Sequence, residues 1–435
     1  MRILVLGAGG FIGRQVVARL LLRGHRVIAG LHATDQRRME AAALRLPPTV
    51  AAVVADIARL QHPEQWQEIL RNVDAVVNCA GILQSDRKQS AKAVHETGPI
   101  ALFEACRRFG PSIVVHVSAI SADLEAGTEY AQTRAAAERH LCASLLDWSL
   151  LRPSLVYGPG SGGGTSAIRG LAGFPVVTPL PGSGKQLFAP IHGEDLAECI
   201  CRVLETRNLR RQVLNPAGPE NLTLREIVSK TRRWLGFARR PFLRIPLFLI
   251  RPLAWLGDWI GAGPIRSTSL QQMAYGNEGD GAAFAAAIGF APRSMDQAFQ
   301  LAPAYVQDRW HARLWFLRPA LTAALALMWL GSGLLGLINP PLHILAALGG
   351  FGLPGWLAAA VAYMTSLLDL AIGGLIIAGR GDQRLAFWQA IVVIAYTVAL
   401  TIVAPALWAD PLGPLLKNLP ILAAIAIWAA LLERD

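Results

Sequence analysis

The sequence predicts an α/β fold, a doubly wound parallel sheet with a small second lobe, followed by an all-α domain of four transmembrane helices. Three observations carry this reading. Across the first 300 residues, short β-branched runs alternate with helical stretches; a glycine-spaced turn joins the first strand to the first helix; and the last third of the chain is almost free of charge.

A length of 435 residues is too great for one ordinary core, so at least two domains are expected. Hydrophobic residues make up 53% and charged residues 16%. That balance excludes a disordered chain and fits poorly with a wholly soluble enzyme. The formal charge of +11 is unevenly placed. Residues 314–435 hold five basic side chains (Arg318, Arg380, Arg384, Lys417, Arg434) and five acidic ones (Asp369, Asp382, Asp410, Glu433, Asp435). The first 313 residues therefore carry all of the surplus. Their arginines are dispersed and form no nucleic-acid motif, so no nucleic-acid partner is expected, and anionic lipid headgroups account better for the charge. The five cysteines (Cys79, Cys106, Cys142, Cys199, Cys201) are too few for a disulfide framework and lack metal-ligand spacing, so no metal is expected. The chain opens directly on a strand-like run without secretory-signal features, and a reducing, cytoplasmic setting is expected for the first domain.

Residues 3–6, 27–29, 50–55, 75–78, 113–117 and 149–151 read as buried strands, bounded by Gly, Pro or polar punctuation. Between them, 11–22, 91–109 and 130–146 read as helices with apolar residues at 3–4 spacing. Such alternation implies a parallel sheet with helices on both faces and a ligand site beyond the carboxyl ends of the strands. The first junction is Gly7-Ala-Gly-Gly10-Phe11-Ile12-Gly13. Gly7 suits a tight turn, Gly10 the close approach of a pyrophosphate, and Gly13 close packing of helix on sheet, as in a Rossmann-type dinucleotide site. The helix N-terminus offers amide donors and a favourable dipole to phosphates.

Further along, Asn78-Cys79-Ala80-Gly81 follows the fourth strand, and Ser118 ends the fifth. Tyr130 comes twelve residues later, and 151–159 reads Leu-Arg-Pro153-Ser-Leu-Val156-Tyr-Gly-Pro. With the glycine junction and 190–197, these motifs resemble the short-chain dehydrogenase/reductases, extended and atypical branches, over roughly residues 1–300. His116-Val-Ser-Ala and the run from Tyr130 to Glu138 are most similar to the atypical branch containing the nucleotide-binding accessory subunit of respiratory complex I. That subunit binds NADPH without an established substrate reaction. The resemblance implies cofactor contacts at Gly7, Gly10, Phe11, Ile12, Gly13, Asp56, Ile57, Cys79, Ala80, Gly81, Pro153 and Val156. Asp56 also suits a turn cap. The resemblance makes Tyr130 the acid/base and Ser118 the group that orients a substrate carbonyl. The family places Lys four residues after the Tyr, whereas this chain has Arg134. A guanidinium favours tyrosinate by charge and can reach the ribose, but it cannot relay a proton by titrating. At the helix position where extended members carry Asn-x-x-Gly, this chain reads His95-Glu-Thr-Gly98. With two catalytic elements off pattern, the alternative is that Tyr130 and Ser118 only hold cofactor.

No acid stands at the tip of the second strand to chelate the ribose of NAD. His32, Arg37 and Arg38 offer partners to a 2′-phosphate, so NADP is favoured over NAD. Gly182-Ser-Gly-Lys185 lacks the flanking residues of a phosphate loop and reads as a flexible turn, Asp195 as the cap of a helix starting at Leu196, and His192 as structural.

Residues 319–338, 353–379 and 385–408 are each long and apolar enough to cross a bilayer, with 412–432 a fourth candidate. Arg309, Arg313 and Arg318 precede the first span, and Arg380 with Arg384 separates the second from the third, which places both termini in the cytoplasm at an inner membrane. A four-span domain of this pattern resembles the DoxX-like family. Asp369, alone in its span, reads either as a contact to a quinone or proton path, or as a helix-pairing hydrogen bond. The segment from Arg239 to Trp259 mixes arginines with large apolar residues, Trp255 included. It reads either as an interfacial segment or as an outer helix packed on the core. The expected division is a cofactor domain over 1–300 with a substrate lobe around 160–300, a linker over 301–313 and a membrane domain over 314–435. Expected activities are a membrane-anchored NAD(P)-dependent oxidoreductase acting on a small or lipid-soluble carbonyl or quinone, a non-catalytic NADPH-binding subunit of a membrane redox complex, or a nucleotide-sugar epimerase or dehydratase.

Overall fold

The computed structural model describes residues 1–32, 46–85, 90–123, 127–160, 162–260, 266–339, 354–411 and 413–432. They form two compact units, residues 1–258 with 265–313, and residues 259–264 with 314–435.

The first unit is built on a seven-stranded parallel sheet in the order β3-β2-β1-β4-β5-β6-β11. Its strands are β1 (Arg2–Leu6), β2 (Arg26–Leu31), β3 (Ala51–Val54), β4 (Ala75–Asn78), β5 (Ile113–Val117), β6 (Asp147–Leu151) and β11 (Gln212–Leu214). The inner strands are short, mostly apolar runs, and their alternate side chains feed two separate cores. Ile3, Val5, Ala29, Val77 and Val115 join one core with helices α1 (Phe11–Leu22) and α5 (Gly193–Glu205). Leu4, Leu6, Val76, Val114 and Leu150 join the other with α2 (Gly98–Phe109) and α3 (Glu129–Cys142). Burial on both faces explains why these strands read as continuous hydrophobic runs. Strand order reverses between β1 and β4, and in an open α/β sheet that crevice is where ligands bind.

Strand positions follow the expectation to within a residue or two, with two local differences among the helices. Residues 91–109 are helical throughout, but Ala93–Thr97 widen into a π turn ahead of Gly98, where an added Cβ would strike the Ile57 carbonyl oxygen. The helix expected over 130–146 ends at Cys142, because Ser144-Leu-Leu turns directly into β6.

The rest of the first 301 residues carries shorter elements: β7 (Val156–Tyr157), α4 (Gly164–Gly173), β8 (Thr178–Pro181), β9 (Leu187–Phe188), β10 (Ile191–His192), β12 (Leu222–Thr223), α6 (Leu224–Trp234), β13 (Phe242–Ile245), α7 (Leu247–Ile260), α8 (Ser267–Tyr275), α9 (Gly281–Ile288) and α10 (Met295–Leu301). Gly182 and Gly184, both at positive φ, lie in the turn that follows β8.

Three helices, α11 (Val306–Ile338), which enters the second unit at Leu314, α12 (Gly355–Ile377) and α13 (Gln383–Val403), are long and apolar enough to cross a membrane. Residues 306–313, expected as linker, are the opening turns of α11. The fourth expected span is shorter. α14 (Asn418–Leu431) has 14 residues, about 21 Å of helix against a hydrocarbon core of about 30 Å. Turns around Gly413 and Leu415 take up the start of the apolar run. Trp428 of α14 donates to Thr322 Oγ1 of α11 at 2.9 Å, and Trp329 of α11 to Gln389 Oε1 of α13 at 2.8 Å. Buried Asp369 of α12 accepts from Ser332 Oγ at 2.7 Å and from the Tyr396 hydroxyl at 2.9 Å, which ties three helices through one carboxylate. These contacts are of the kind that a helix-pairing hydrogen bond requires. Gly333 and Gly336 let α11 approach Ser366 of α12, where an added Cβ would collide.

Candidate functional site

The site begins where β1 ends. Gly7 adopts φ +70°, and its carbonyl accepts from Gly10 N at 2.9 Å, closing the turn into α1. Gly10 caps that helix without a side-chain bond, and the first turn holds no acid. An uncapped helix start of this kind suits an anion. A Cβ on Gly7 would come within 2.9 Å of Ala80 N, so the β1 turn and the segment after β4 meet backbone to backbone. A Cβ on Gly13 would collide with the Gly7 carbonyl oxygen and the Ala8 Cα, neither of which can rotate away. Gly13→Ala is therefore expected to cost about 1–3 kcal/mol and to weaken dinucleotide binding. Thermal melting and nucleotide titration of the variant check both effects. Ile12 packs on the adjoining core, and Phe11 lies beside Gly162.

After β4, Asn78 Oδ1 accepts from Ala80 N at 3.1 Å and its amide donates to His116 Nδ1 at 3.1 Å. Cys79 N continues the ladder to Leu6 O. Gly81 faces the Arg134 guanidinium so closely that a side chain at 81 has no room. Arg134 is buried, donates to Val117 O at 3.1 Å, and lies over the half-buried Tyr130 ring with its guanidinium carbon 4.8 Å from the centroid. Tyr130 and Arg134 are one turn apart on α3, whose N-cap is Thr128. Ser118, just past β5, is buried with its Oγ unpaired among the described residues, while its amide donates to Leu151 O.

His95 is a site neighbour that sequence reasoning set down only as a departure from pattern. Its ring meets Tyr130 edge-on at 5.4 Å, and its Nε2 accepts from Ile82 N at 3.0 Å. Burial, then the charge of Arg134, pushes it down to about 2. Burial and the same arginine hold His116 down at about 3. Both imidazoles are therefore neutral, and Arg134 supplies positive charge beside Tyr130.

At the tip of β2, His32 Nδ1 lies 2.9 Å from Asp56 Oδ2. Asp56 also meets Arg59 Nε at 3.4 Å and accepts from Ala58 N at 3.0 Å, so it caps a turn; Ile57 is buried in the core beside it. Arg37 and Arg38 lie outside the described residues. On the opposite side, Pro153 O accepts from Ile120 N, and Val156 pairs in register with Ile191. The expected cap of α5 is corrected here: the helix starts at Gly193, and His192 Nδ1 accepts from Glu194 N at 3.3 Å. Asp195 sits in the first turn, and its carboxylate accepts from the Arg293 guanidinium at 2.8 Å and from the Arg293 backbone amide at 3.0 Å.

Comparison with known proteins matches this arrangement. Residues 3–215 match the NAD dependent epimerase/dehydratase family, and residues 326–426 match the DoxX-like family. The NADH-ubiquinone oxidoreductase 40 kDa subunit of Neurospora crassa mitochondria is 25% identical over 251 residues, covering 58% of this chain and 64% of that protein. The match thus spans less than two thirds of the fungal subunit. The ceramide reductase of Caulobacter vibrioides is 24% identical over 242 residues, covering 56% of this chain and 73% of that enzyme. Among solved structures, UDP-glucuronic acid 4-epimerase from Bacillus cereus, in complex with UDP-glucuronic acid and NAD, superposes with a TM-score of 0.52 at 20% identity. That superposition covers 69% of this chain and 97% of the epimerase, and shows the shared fold. The chain joins an N-terminal domain of the NAD dependent epimerase/dehydratase family, of short-chain dehydrogenase/reductase type, to a C-terminal membrane domain of the DoxX-like family.

Proposed function

We propose that the protein is a membrane-anchored, NADP(H)-dependent oxidoreductase that interconverts a small or lipid-soluble carbonyl, or a quinone, with its reduced form. The observation that carries this reading is the cluster of Tyr130, the Arg134 guanidinium on its ring, and the unpaired, buried Ser118 hydroxyl at the end of the adjacent strand. A bound nicotinamide supplies or accepts the hydride. In the reducing direction, Tyr130 hands its hydroxyl proton to the carbonyl oxygen, and Ser118 Oγ donates a hydrogen bond to the same oxygen. Arg134 stabilises the tyrosinate left behind, and solvent returns the proton. Gly7, Gly10, Phe11, Ile12 and Gly13 would hold the diphosphate, Asp56 and Ile57 the adenine side, and Cys79, Ala80, Gly81, Pro153 and Val156 the nicotinamide half. Two facts support NADP over NAD: β2 is followed by His32 rather than by an acid, and the Asp56 carboxylate is already engaged by His32, Arg59 and the Ala58 amide. His32, Arg37 and Arg38 would then face the 2′-phosphate. A cytoplasmic first unit at an inner membrane gives that cofactor access.

A second reading, a non-catalytic NADPH-binding subunit of a membrane redox complex, draws support from two contacts. Arg134 is held by the Val117 carbonyl and the ring face, as a structural arginine would be. Purifying the full chain in detergent, identifying the bound nucleotide and following the nicotinamide absorbance with long-chain ketones, aldehydes and quinones separates the two. NADPH oxidation with any of these supports the oxidoreductase. Tight NADPH with no turnover across the panel supports the binding subunit.

A further inference from the structure

The segment β13–α7 carries an outward face that water alone does not explain. Phe248 is 67% exposed, Leu253 62% and Trp255 68%, with Leu249 also exposed, while Ile250 and Ala254 are buried. At 100° per residue, Ile250 and Ala254 share the inward stripe and the four large apolar residues fill the outward side. A surface helix of a soluble domain shows the reverse pattern. Leu243 of β13 is exposed as well, and so is Val176 just ahead of β8, the strand to which β13 is paired.

Charge distinguishes the occupants. Between residues 227 and 257 the chain holds seven basic side chains (Lys230, Arg232, Arg233, Arg239, Arg240, Arg244 and Arg251) and no acid. Arg239, Arg240, Arg244 and Arg251 are exposed. A second copy placed on this face by a twofold axis would set those charges against themselves. An anionic membrane surface complements them, and the same chain carries helices of membrane-spanning length. We propose that β13–α7 is an interfacial docking element, with Phe248, Leu249, Leu253 and Trp255 seated at the headgroup–acyl boundary of an anionic bilayer. The element also connects toward the candidate site. Asp258 near the end of α7 pairs with Arg266, which donates to Ser85 O, and Ser85 Oγ donates to Glu129, the neighbour of Tyr130. Docking thus sets the rim of the site at the lipid surface, independently of whether Tyr130 turns over a substrate.

The test uses the full chain in nanodiscs of equal parts phosphatidylglycerol and phosphatidylcholine. Nitroxide labels are placed at Phe248→Cys and Leu253→Cys, with Leu22→Cys and Leu145→Cys as exposed controls. All are made in a Cys142→Ser background whose residual labelling is subtracted. Docking predicts an oxygen-to-nickel-chelate collision ratio at 248 and 253 at least about fivefold above the controls, as an apolar face in the headgroup–acyl boundary requires. Changing Arg239, Arg240, Arg244 and Arg251 to Gln should bring that ratio back toward the controls. Collision ratios equal to the controls would place the face in water. Exclusion of both reagents would place it against protein, a second copy included. Either result overturns the proposal, and a ratio indifferent to the four Gln substitutions overturns its electrostatic half.

Discussion

Tyr130→Phe in the full chain is expected to lower NADPH-dependent turnover by roughly 10²–10⁴-fold, the usual contribution of a positioned acid/base. Nucleotide affinity and melting temperature should stay as they were. The expectation is sharp because the ring keeps its structural contacts without the hydroxyl. The edge contact with His95 at 5.4 Å and the guanidinium 4.8 Å from the centroid both belong to the ring. The missing atom is the one that moves the proton in the proposed mechanism. The measurement is kcat and KM on the active substrate, with nucleotide titration and melting alongside. A fall in kcat at constant KM and constant nucleotide affinity marks an interaction made only in the transition state. An unchanged kcat would remove Tyr130 from the chemistry and leave the NADPH-binding reading standing.

What the sequence made legible was local. The parallel sheet could be read because strands buried on both faces are short apolar runs, and the β1 turn could be read because Gly7 and Gly13 answer to backbone geometry within seven residues. The contacts that shape the site join residues far apart in the chain. His95 meets Thr133 and Tyr130 from a different helix, and Asp56 is engaged by His32 across a strand junction. Asp195, a plausible helix cap by type and position, is instead drawn to Arg293, 98 residues on, and leaves the cap to His192. No periodicity reports such pairings. In the same way, the run of seven basic residues was visible as composition, but only the burial of Ile250 and Ala254 showed which side of α7 faces outward. The fourth apolar run had the right hydropathy for a span, and its shortfall came from turns at its start.

Acid should unfold the cofactor unit well above the range in which carboxylates alone would do it. His95 and His116 are held at about 2 and about 3 in the folded protein, both mainly by burial and then by Arg134. In the unfolded chain each titrates near 6.5. Their folded values lie below the unfolded one, so their contribution to stability is fully present above about pH 6.5. It is lost as pH falls toward about 3, because there the unfolded chain binds protons that the folded chain refuses. Well below pH 6.5 each histidine contributes about 1.4 kcal/mol per pH unit, so the pair gives a limiting slope of roughly 3 kcal/mol per unit. From pH 6.5 to pH 5, over which the slope is still building up, that amounts to roughly 3 kcal/mol, a large share of the 5–15 kcal/mol that holds a typical domain. Urea midpoints of the full chain in detergent, taken across pH 7 to 5, read the slope directly. His95→Asn removes one of the two titrations and should halve it, whereas a flat profile in the parent protein would mean that the histidines are not held neutral. The same cause bears on the chemistry. A proton on either ring would set a second buried positive charge beside Arg134, so His95, although it touches Tyr130, stays neutral throughout the working range. On the proposed mechanism the positive charge available to a tyrosinate is then that of Arg134, and the Tyr130 proton is replaced from solvent.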